Sequence, residues 1–386
     1  MGRLGLIEEG AVLPVEKGFL LCDEEGVGKV TLLSIIGRGG TAIAYKGIRY
    51  RNGNAVTCIV KEYFPEQKET SGIYIRNNIG EKITIAERYK EAEMQLQMEN
   101  VRRELRTNQN LYFNEDNKRE INWNNSSYIY SAEYLCKLGD SSYIVLDSSE
   151  GETLYSRLKR NKLSVEETFR LIYQMLIIVS HLDKKGYVHC DIKPENLWLR
   201  GEGENQSMCL LDFGSAFKLS DYRCDISRMN EEEIMDAADH IMKNESIGSN
   251  TRGYSSVNVG RLESNKNIYN LTDHSIKRAR ALLKSVNSIG TGDDLFSVVK
   301  VAEQLLNQTD MTNEERKSME CIWEEAKRKN SDEGFETVDE LKKEFEIMEV
   351  LLHKGAHPAV LEQGIKRMMK NWECEDFDQN LLCDIK

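Results

Sequence analysis

The stretch HCDIKPEN, residues 189–196, groups an acid, an amine and an amide around a proline. Asp191 is placed to accept the proton of a hydroxyl group, and Lys193 to neutralise a phosphate group during its transfer. Asn196 is placed to hold a metal ion through its amide oxygen. Pro194 would bend the loop so that these three side chains converge. The plainer alternative is a polar turn that follows a buried helix.

A second motif, LLDFGSA (residues 210–216), places Asp212 21 residues after Asp191. Two apolar residues lead into this carboxylate, and a carboxylate at the end of a buried strand is a natural Mg²⁺ ligand. Phe213 would pack beneath it, and Gly214 permits the chain to turn away. A simple polar turn at Asp191 does not explain why this second motif follows.

The elements that must position these motifs differ along the chain. Strand-like patterns precede them at 29–37, 41–50, 54–64, 128–138 and 141–147, and a helical pattern covers 85–106. From Thr153 onward the chain is mostly helical. Ser164 and Glu167 form a capping-box pattern at the start of a long helix, and Gly186 suits its C-terminal end.

A glycine-rich run, IIGRGGTAIAYKG, occupies residues 35–47, with Ala42 where a third spaced glycine could stand. An ordinary hairpin turn and a dinucleotide-binding fingerprint are both alternatives. The fingerprint needs a helix directly afterwards, whereas the residues that follow are strand-like. A hairpin at Gly37, Gly39 and Gly40 would instead let backbone N–H groups close over phosphates, because glycine has no Cβ to hold the ligand away.

Lys61 lies in the apolar strand CIVKEYF and could reach inward to phosphates instead of lying at a strand edge. A carboxylate partner is expected from the following helix, which offers Glu91, Glu93, Glu99 and Glu104. Glu93 is the prediction, because it lies beside the apolar side formed by Met94 and Met98.

The composition points to a globular protein and excludes several classes. The 64 acidic and 52 basic residues give a net charge of −12, which argues against a nucleic-acid-binding body and against adhesion to an anionic membrane. Nine cysteines without a CxxC pair are typical of reduced thiols, not of disulfides or zinc sites. The longest mostly apolar run, residues 171–182, is too short to span a bilayer. A cytoplasmic protein is therefore expected.

In order and content these motifs resemble the eukaryotic-type protein kinase family over 32–348, and the sequences LPVEKG and KEYFP resemble a bacterial subgroup of Ser/Thr kinases. The resemblance implies ATP and Mg²⁺ as cofactors. It makes Asp191 the catalytic base and Lys193 the phosphate-neutralising lysine. The remaining implied roles are a phosphate-covering loop at Gly37, Gly39, Gly40 and Ala42, a nucleotide lysine at Lys61, metal ligands at Asn196 and Asp212, a gatekeeper at Leu146, adenine contacts at Asp147 and Ser149, and a catalytic-loop anchor at Asp294.

The chain departs from the family pattern in three places. Cys190 replaces the arginine that precedes the catalytic base, so the site is not expected to need a phosphorylated activation segment. Ser256, Val257 and Asn258 stand where Ala-Pro-Glu is usual, and Gly334 and Phe335 stand where the arginine partner of that glutamate is usual. Losing both halves of a buried ion pair can be nearly neutral, which favours a repacked working lobe.

Two insertions flank the expected peptide groove: an acidic helical stretch within 215–250 and a basic amphipathic helix within 259–290. They are either solvated additions or a docking surface for a partner.

The sequence thus predicts an α+β, two-lobed, protein-kinase-like fold, with an antiparallel N-lobe (29–147) and a mainly helical C-lobe (148–350). Extensions at 1–28 and 351–386 complete the chain. The expected activity is transfer of the γ-phosphoryl group of Mg-ATP to a protein Ser or Thr hydroxyl, and Lys193 favours Ser/Thr over Tyr. The alternatives are a nucleotide-binding pseudokinase scaffold and a small-molecule phosphotransferase of the aminoglycoside-kinase type, which shares His-x-Asp but typically lacks the KPEN and DFG combination.

Overall fold

Six antiparallel strands form a closed barrel in the N-terminal part of the computed structural model. They are β1 (Leu20–Cys22), β2 (Gly28–Arg38), β3 (Ala42–Arg51), β4 (Asn54–Tyr63), β5 (Ala132–Leu138) and β6 (Ser141–Asp147). The strand order is β1-β2-β3-β4-β6-β5, and Cys22 of β1 pairs with Lys137 of β5 to close the barrel. The structure describes residues 20–22, 28–38, 42–51, 54–63, 90–112, 132–138, 141–147, 151–244, 247–271, 275–313, 315–317, 323–324, 330 and 334–353.

Successive side chains of β4 point to opposite faces of the barrel wall. Glu62 is fully buried and accepts hydrogen bonds from the hydroxyl groups of Tyr45 (2.5 Å) and Tyr143 (2.7 Å). Because side chains alternate along a strand, the neighbouring Lys61 points to the other face. This alternation directs the predicted phosphate-binding lysine away from the barrel interior.

Helix α1 (Lys90–Tyr112) lies outside the barrel and contacts β5 and β6. Val101 of α1 packs with Leu135 and Ile144, and Leu105 adds to the same apolar cluster. The sequence pattern predicted this helix over 85–106; residues 85–89 lie outside the described residues, and the helix continues to Tyr112, beyond the predicted end.

The C-terminal part is mainly helical, as the sequence predicted. The helices whose bounds lie within the described residues are α2 (Leu154–Leu158), α3 (Val165–Lys185), α4 (Leu219–Tyr222), α5 (Glu231–Met242), α6 (Val257–Leu271), α7 (Ile276–Asn287), α8 (Thr291–Gln308) and α9 (Val338–His353). Short strands complete it: β7 (Gly151–Thr153), β8 (Tyr187–Val188), β9 (Leu197–Arg200), β10 (Ser207–Leu210) and β11 (Phe217–Lys218). The α3, α8 and α9 helices contact one another around a common apolar core. The α+β, two-lobed prediction is confirmed.

Both predicted ends of α3 are observed. The hydroxyl group of Ser164 accepts a hydrogen bond from the N–H of Glu167 at 3.1 Å, and Gly186 ends the helix in the left-handed conformation with φ of 74°. The side chain of Glu167 forms an ion pair with Arg157 at 2.8 Å. Because the C-terminal end of α3 is fixed at Gly186, the chain enters β8 and the HCDIKPEN loop in a defined direction.

The two insertions pack against each other. Ile234 and Ile241 of α5 share one buried apolar cluster with Leu282 and Val286 of α7, and Cys190 belongs to the same cluster. Both predicted helices are therefore confirmed.

Among the described residues, no helix combines the length and the apolar character needed to cross a membrane. The predicted extension at 351–386 lies almost entirely outside the described residues, as does most of the one at 1–28.

Candidate active site

A buried carboxylate on α8 anchors the HCDIKPEN loop. The N–H groups of His189 and Cys190 donate hydrogen bonds to Oδ2 and Oδ1 of Asp294 at 2.8 and 2.9 Å. Burial raises the pKa of Asp294 to about 7, and the two N–H donors oppose that rise. The predicted anchor is confirmed, and it holds the two residues that directly precede Asp191.

Asp191, Lys193 and Asn196 converge as the sequence predicted. Oδ2 of Asp191 accepts hydrogen bonds from Nζ of Lys193 at 2.6 Å and from Nδ2 of Asn196 at 3.2 Å. Pro194 begins a short 3-10 turn that ends at Asn196. Oδ1 of Asp191 is buried and has no hydrogen-bond partner among the residues that the structure describes. One oxygen of this carboxylate is thus held by two hydrogen bonds, and the other is buried without a hydrogen-bond partner among the described residues.

Thr251 completes this group, although the sequence analysis assigned it no role. Nζ of Lys193 donates a hydrogen bond to Oγ1 of Thr251 at 2.6 Å. The two residues are 58 positions apart in the chain, so local pattern gave no indication of the contact. The segment after Asp212 therefore returns to the HCDIKPEN loop at this threonine.

The two motifs are tied together at Leu211. Its carbonyl oxygen lies 3.0 Å from Nε2 of His189, and its N–H donates to the carbonyl oxygen of Asn196 at 2.8 Å. Nδ1 of His189 accepts from the N–H of Asp191 at 3.3 Å, so Nε2 carries the proton of this neutral ring. Burial lowers the pKa of His189, which is consistent with that assignment. The ring also meets Phe213 edge-on, with centroids 5.2 Å apart.

Asp212 faces Lys61 from a strained turn. Its φ of 60° lies in the left-handed region, which a non-glycine residue adopts at a cost of about 1 kcal/mol or more. Oδ1 of Asp212 lies 2.7 Å from Nζ of Lys61 and accepts the N–H of Gly214 at 3.3 Å. Burial alone would raise the pKa of Asp212, but the adjacent Lys61 outweighs it and lowers the pKa to about 2. This carboxylate is therefore ionised, as a metal ligand must be.

The carboxylate that pairs with Lys61 is Glu104, and the prediction of Glu93 was wrong. Nζ of Lys61 lies 2.7 and 2.9 Å from the two carboxylate oxygens of Glu104. Burial alone would lower the pKa of Lys61, yet the charges of Asp212 and Glu104 raise it above its usual value. Glu93 lies eleven residues earlier on the same helix, about 16 Å away along its axis.

The glycine-rich run and the predicted adenine-binding segment are described only in part. Gly37 pairs with Ala44 near the end of β2, and Ala42 begins β3, buried opposite Tyr63. The half-buried Leu146 packs on the apolar cluster of Ile59 and Trp198, and Asp147 pairs with Cys58 at the end of β6. The predicted residues Gly39, Gly40 and Ser149 lie outside the described residues.

The region of the missing family ion pair is packed in another way. The hydroxyl group of Ser256 donates a hydrogen bond to Oδ1 of Asp293 and accepts one from the N–H of Val259 at 3.2 Å. Phe335, which follows Gly334 at the place where the family arginine is expected, is buried in the main apolar cluster. A Cβ on Gly292 would meet the carbonyl oxygen of Phe335 at 2.6 Å, so α8 closes tightly on this segment.

The donor set fits a magnesium ion held together with a phosphate ligand. In the described part of the chain, no group of three or more His, Cys, Asp or Glu side chains could hold a metal on its own. Mg²⁺ commonly takes only one or two carboxylates and fills its other positions with water and substrate phosphates. The ionised Asp212 and the amide side chain of Asn196 provide oxygens of the kind that such a site uses.

Comparison with known proteins agrees with this architecture. A family model described as the protein kinase domain matches residues 30–235, which is more than half of the chain. The chain therefore belongs to the protein kinase family.

Three relatives show how far the similarity extends. Citron rho-interacting kinase of Rattus norvegicus is 29% identical over 123 residues, which are 31% of this chain and 6% of that protein. The RAC family serine/threonine-protein kinase homolog of Dictyostelium discoideum is 31% identical over 91 residues, 23% of this chain and 20% of that protein. CDPK-related kinase 3 of Arabidopsis thaliana is 30% identical over 123 residues, 30% of this chain and 20% of that protein.

The chain thus matches a fifth or less of the length of these three relatives. All three come from eukaryotes, so they give no support to the predicted bacterial subgroup.

Proposed function

We propose that the protein is a serine/threonine protein kinase that transfers the γ-phosphoryl group of Mg-ATP to a hydroxyl group of a protein. Besides family membership, one observation carries the proposal. Lys193 and Asn196 hold Oδ2 of Asp191, while its buried Oδ1 has no partner among the described residues. A buried carboxylate oxygen without a hydrogen-bond partner costs free energy unless a ligand donates a hydrogen bond to it. Oδ1 is therefore the atom that receives the acceptor hydroxyl group.

Each charged side chain has a separate task in this reaction. Mg-ATP, when bound, supplies the phosphoryl group, and its metal ion supplies the divalent charge that offsets the negative charge of the phosphates. Lys61, fixed by Glu104 and Asp212, would present a cation to the phosphates, and Asp212 and Asn196 would hold the metal ion. Because these groups are positioned before substrate arrives, little reorganisation is needed in the transition state.

Asp191 and Lys193 act on the acceptor side. Oδ1 of Asp191 accepts the hydroxyl proton, and Asp294 fixes the backbone that carries this carboxylate. Nζ of Lys193 bridges Asp191 and Thr251, so it places positive charge where the transferred phosphoryl group gains negative charge.

Two features favour a protein Ser or Thr acceptor over the alternatives. Lys193 follows the base at the spacing that resembles Ser/Thr kinases, and the Dictyostelium relative is named as a homolog of a serine/threonine-protein kinase. A pseudokinase scaffold is disfavoured because Lys61, Asp191, Asn196 and Asp212 are all present and their side chains make the contacts described above. An aminoglycoside-type phosphotransferase is disfavoured because the family model is that of protein kinases.

The variant Asp191→Asn tests the proposal. Asn cannot accept the hydroxyl proton, so the rate of transfer from labelled ATP to a generic protein substrate should fall by about a hundredfold or more. Binding of Mg-ATP, measured by calorimetry, should stay nearly unchanged, because Asp191 acts on the acceptor.

Full transfer by this variant would contradict the mechanism. A wild-type protein that binds Mg-ATP but transfers nothing to proteins or to aminoglycosides would be a scaffold. Transfer to an aminoglycoside but to no protein would establish the small-molecule alternative.

A further inference from the structure

Arg103, which precedes Glu104 on α1, binds the chain just beyond Asp212. Its Nη1 donates a hydrogen bond to the carbonyl oxygen of Ala216 at 2.7 Å, and its Nη2 donates to the carbonyl oxygen of Gly214. The two acceptors are two residues apart, which matches the fixed fork of a guanidinium group. Sequence analysis did not single out this arginine.

The peptide groups of Gly214 connect Arg103 to the proposed metal ligand. The carbonyl oxygen of Gly214 accepts from Arg103, while its N–H donates to Oδ1 of Asp212, the oxygen that also meets Lys61. A Cβ on Gly214 would meet Oδ1 of Asp212 at 3.2 Å and Oε2 of Glu104 at 3.5 Å. The turn is thus closely fitted between the metal ligand and the helix.

The backbone of Asp212 needs such a restraint. A non-glycine residue with φ of 60° is strained, and it keeps that conformation only where its surroundings enforce it. On the other side of the same turn, Phe213 is buried against His189. Arg103 supplies the restraint from α1 through two charge-assisted hydrogen bonds.

We infer that Arg103 is a positioning residue for the metal-binding carboxylate. Adjacent residues of α1 hold both partners of the central ion pair: Glu104 fixes Lys61, and Arg103 fixes the turn that aims Asp212. The inference rests on the proposed function, in which Asp212 binds the metal ion. It predicts that the loss of Arg103 impairs metal-dependent catalysis more than it lowers the stability of the fold.

The test compares Arg103→Ala and Arg103→Lys with Arg106→Ala, which removes an exposed arginine from the same helix. We expect Arg103→Ala to raise the Mg²⁺ concentration for half-maximal transfer and to lower kcat by about tenfold or more, as the loss of a charged hydrogen bond implies. Binding of ATP without metal should be unchanged. Arg103→Lys can restore one of the two hydrogen bonds and should be intermediate, and Arg106→Ala should match the wild type.

Hydrogen exchange of the backbone provides a readout that does not depend on activity. In Arg103→Ala, the amides at 213–217 should lose protection, while those of α3 and α8 keep theirs. Unchanged Mg²⁺ dependence and unchanged exchange at 213–217 would overturn the inference. So would a uniform loss of protection with a lower melting temperature and normal Mg²⁺ dependence, which would mark a purely structural role.

If Arg103→Ala does not fold, Arg103→Lys decides by the same measurements. Failure of the proposed function would look different. In that case the wild type itself would transfer no phosphoryl group, while the exchange at 213–217 would still report whether Arg103 holds the turn.

Discussion

At the scale of single residues, Cys190 separates this site from the family pattern. It is buried, its φ of 67° is left-handed, and its thiol lies in the apolar cluster that includes α5 and α7. Burial raises the pKa of this thiol well above its ordinary value, so the side chain is neutral. A neutral thiol cannot bind a phosphate group, whereas an arginine at this position could.

Asp294 leads to a pH-dependent prediction. Its folded pKa of about 7 lies above the ordinary 3.8, so its stabilising contribution is complete below about pH 4 and is lost as the pH rises through 7. The variant Asp294→Asn lacks this titration and leaves a backbone N–H group unpaired, which should cost about 1–3 kcal/mol. The free-energy difference between wild type and variant should therefore be largest near pH 4, fall steadily up to about pH 7, and stay small at pH 8.

Urea unfolding of both proteins across this pH range measures that difference. All other titrating groups are common to the two proteins and cancel in the comparison. A destabilisation that grows with pH would show that the carboxylate form is the one favoured by folding, contrary to the direction given above.

At the scale of the element, α1 shows what a helical pattern can and cannot predict. Eleven residues are about three turns of a helix, so Glu93 and Glu104 lie on nearly the same face. The apolar pattern of the sequence therefore identified the correct face. It could not identify the correct turn, because that depends on where α1 meets β5 and β6 in the folded chain.

Substitution of each glutamate tests which of the two helical turns provides the partner of Lys61. Glu104→Gln removes a buried charge 2.7 Å from Lys61 and should lower kcat/KM for ATP by about tenfold to a hundredfold. Glu93→Gln should leave it within about twofold, as is usual for a substitution away from such a contact. Steady-state kinetics with varied ATP measures both. Equal losses in the two variants would contradict the assignment of Glu104.

At the same scale, the inserted helices α5 and α7 stabilise each other. Asn230 begins α5 with a complete capping box to Glu233, and the exposed side of the helix carries several acidic residues. Its buried side packs on α7, so the two insertions support each other. Docking of a partner on their outer surfaces remains a prediction.

At the scale of the molecule, the sequence predicted the order of the lobes and most of the site because the two loop motifs are local. What it missed depends on distant pairing. Strand β1 closes the barrel from a segment assigned to an extension, and Thr251 reaches Lys193 across 58 residues. The replaced ion pair illustrates the same limit. The sequence showed that the two charged residues of the family pair are absent, but only the folded structure shows that Phe335 is buried there.

The same long-range packing leads to a prediction about how the proposed kinase activity is controlled. The segment after Asp212 is held by β11, which pairs with β8, and by the N–H of Gly248, which donates to the carbonyl oxygen of Ser215 at 2.9 Å. Further along, α5 packs on α7. None of these contacts requires a phosphate group, and Cys190 offers no charge to bind one. We therefore expect activity without phosphorylation of this segment.

The phosphatase-treated protein, shown by mass spectrometry to be unmodified, should phosphorylate a generic protein at a constant rate from the first time point. Ile241→Ala should remove packing between α5 and α7, cost about 2–5 kcal/mol of stability, and lower that initial rate. Glu232→Ala, on the exposed side of the same helix, should change neither quantity. A lag that disappears after preincubation with Mg-ATP would show instead that the segment is assembled by autophosphorylation.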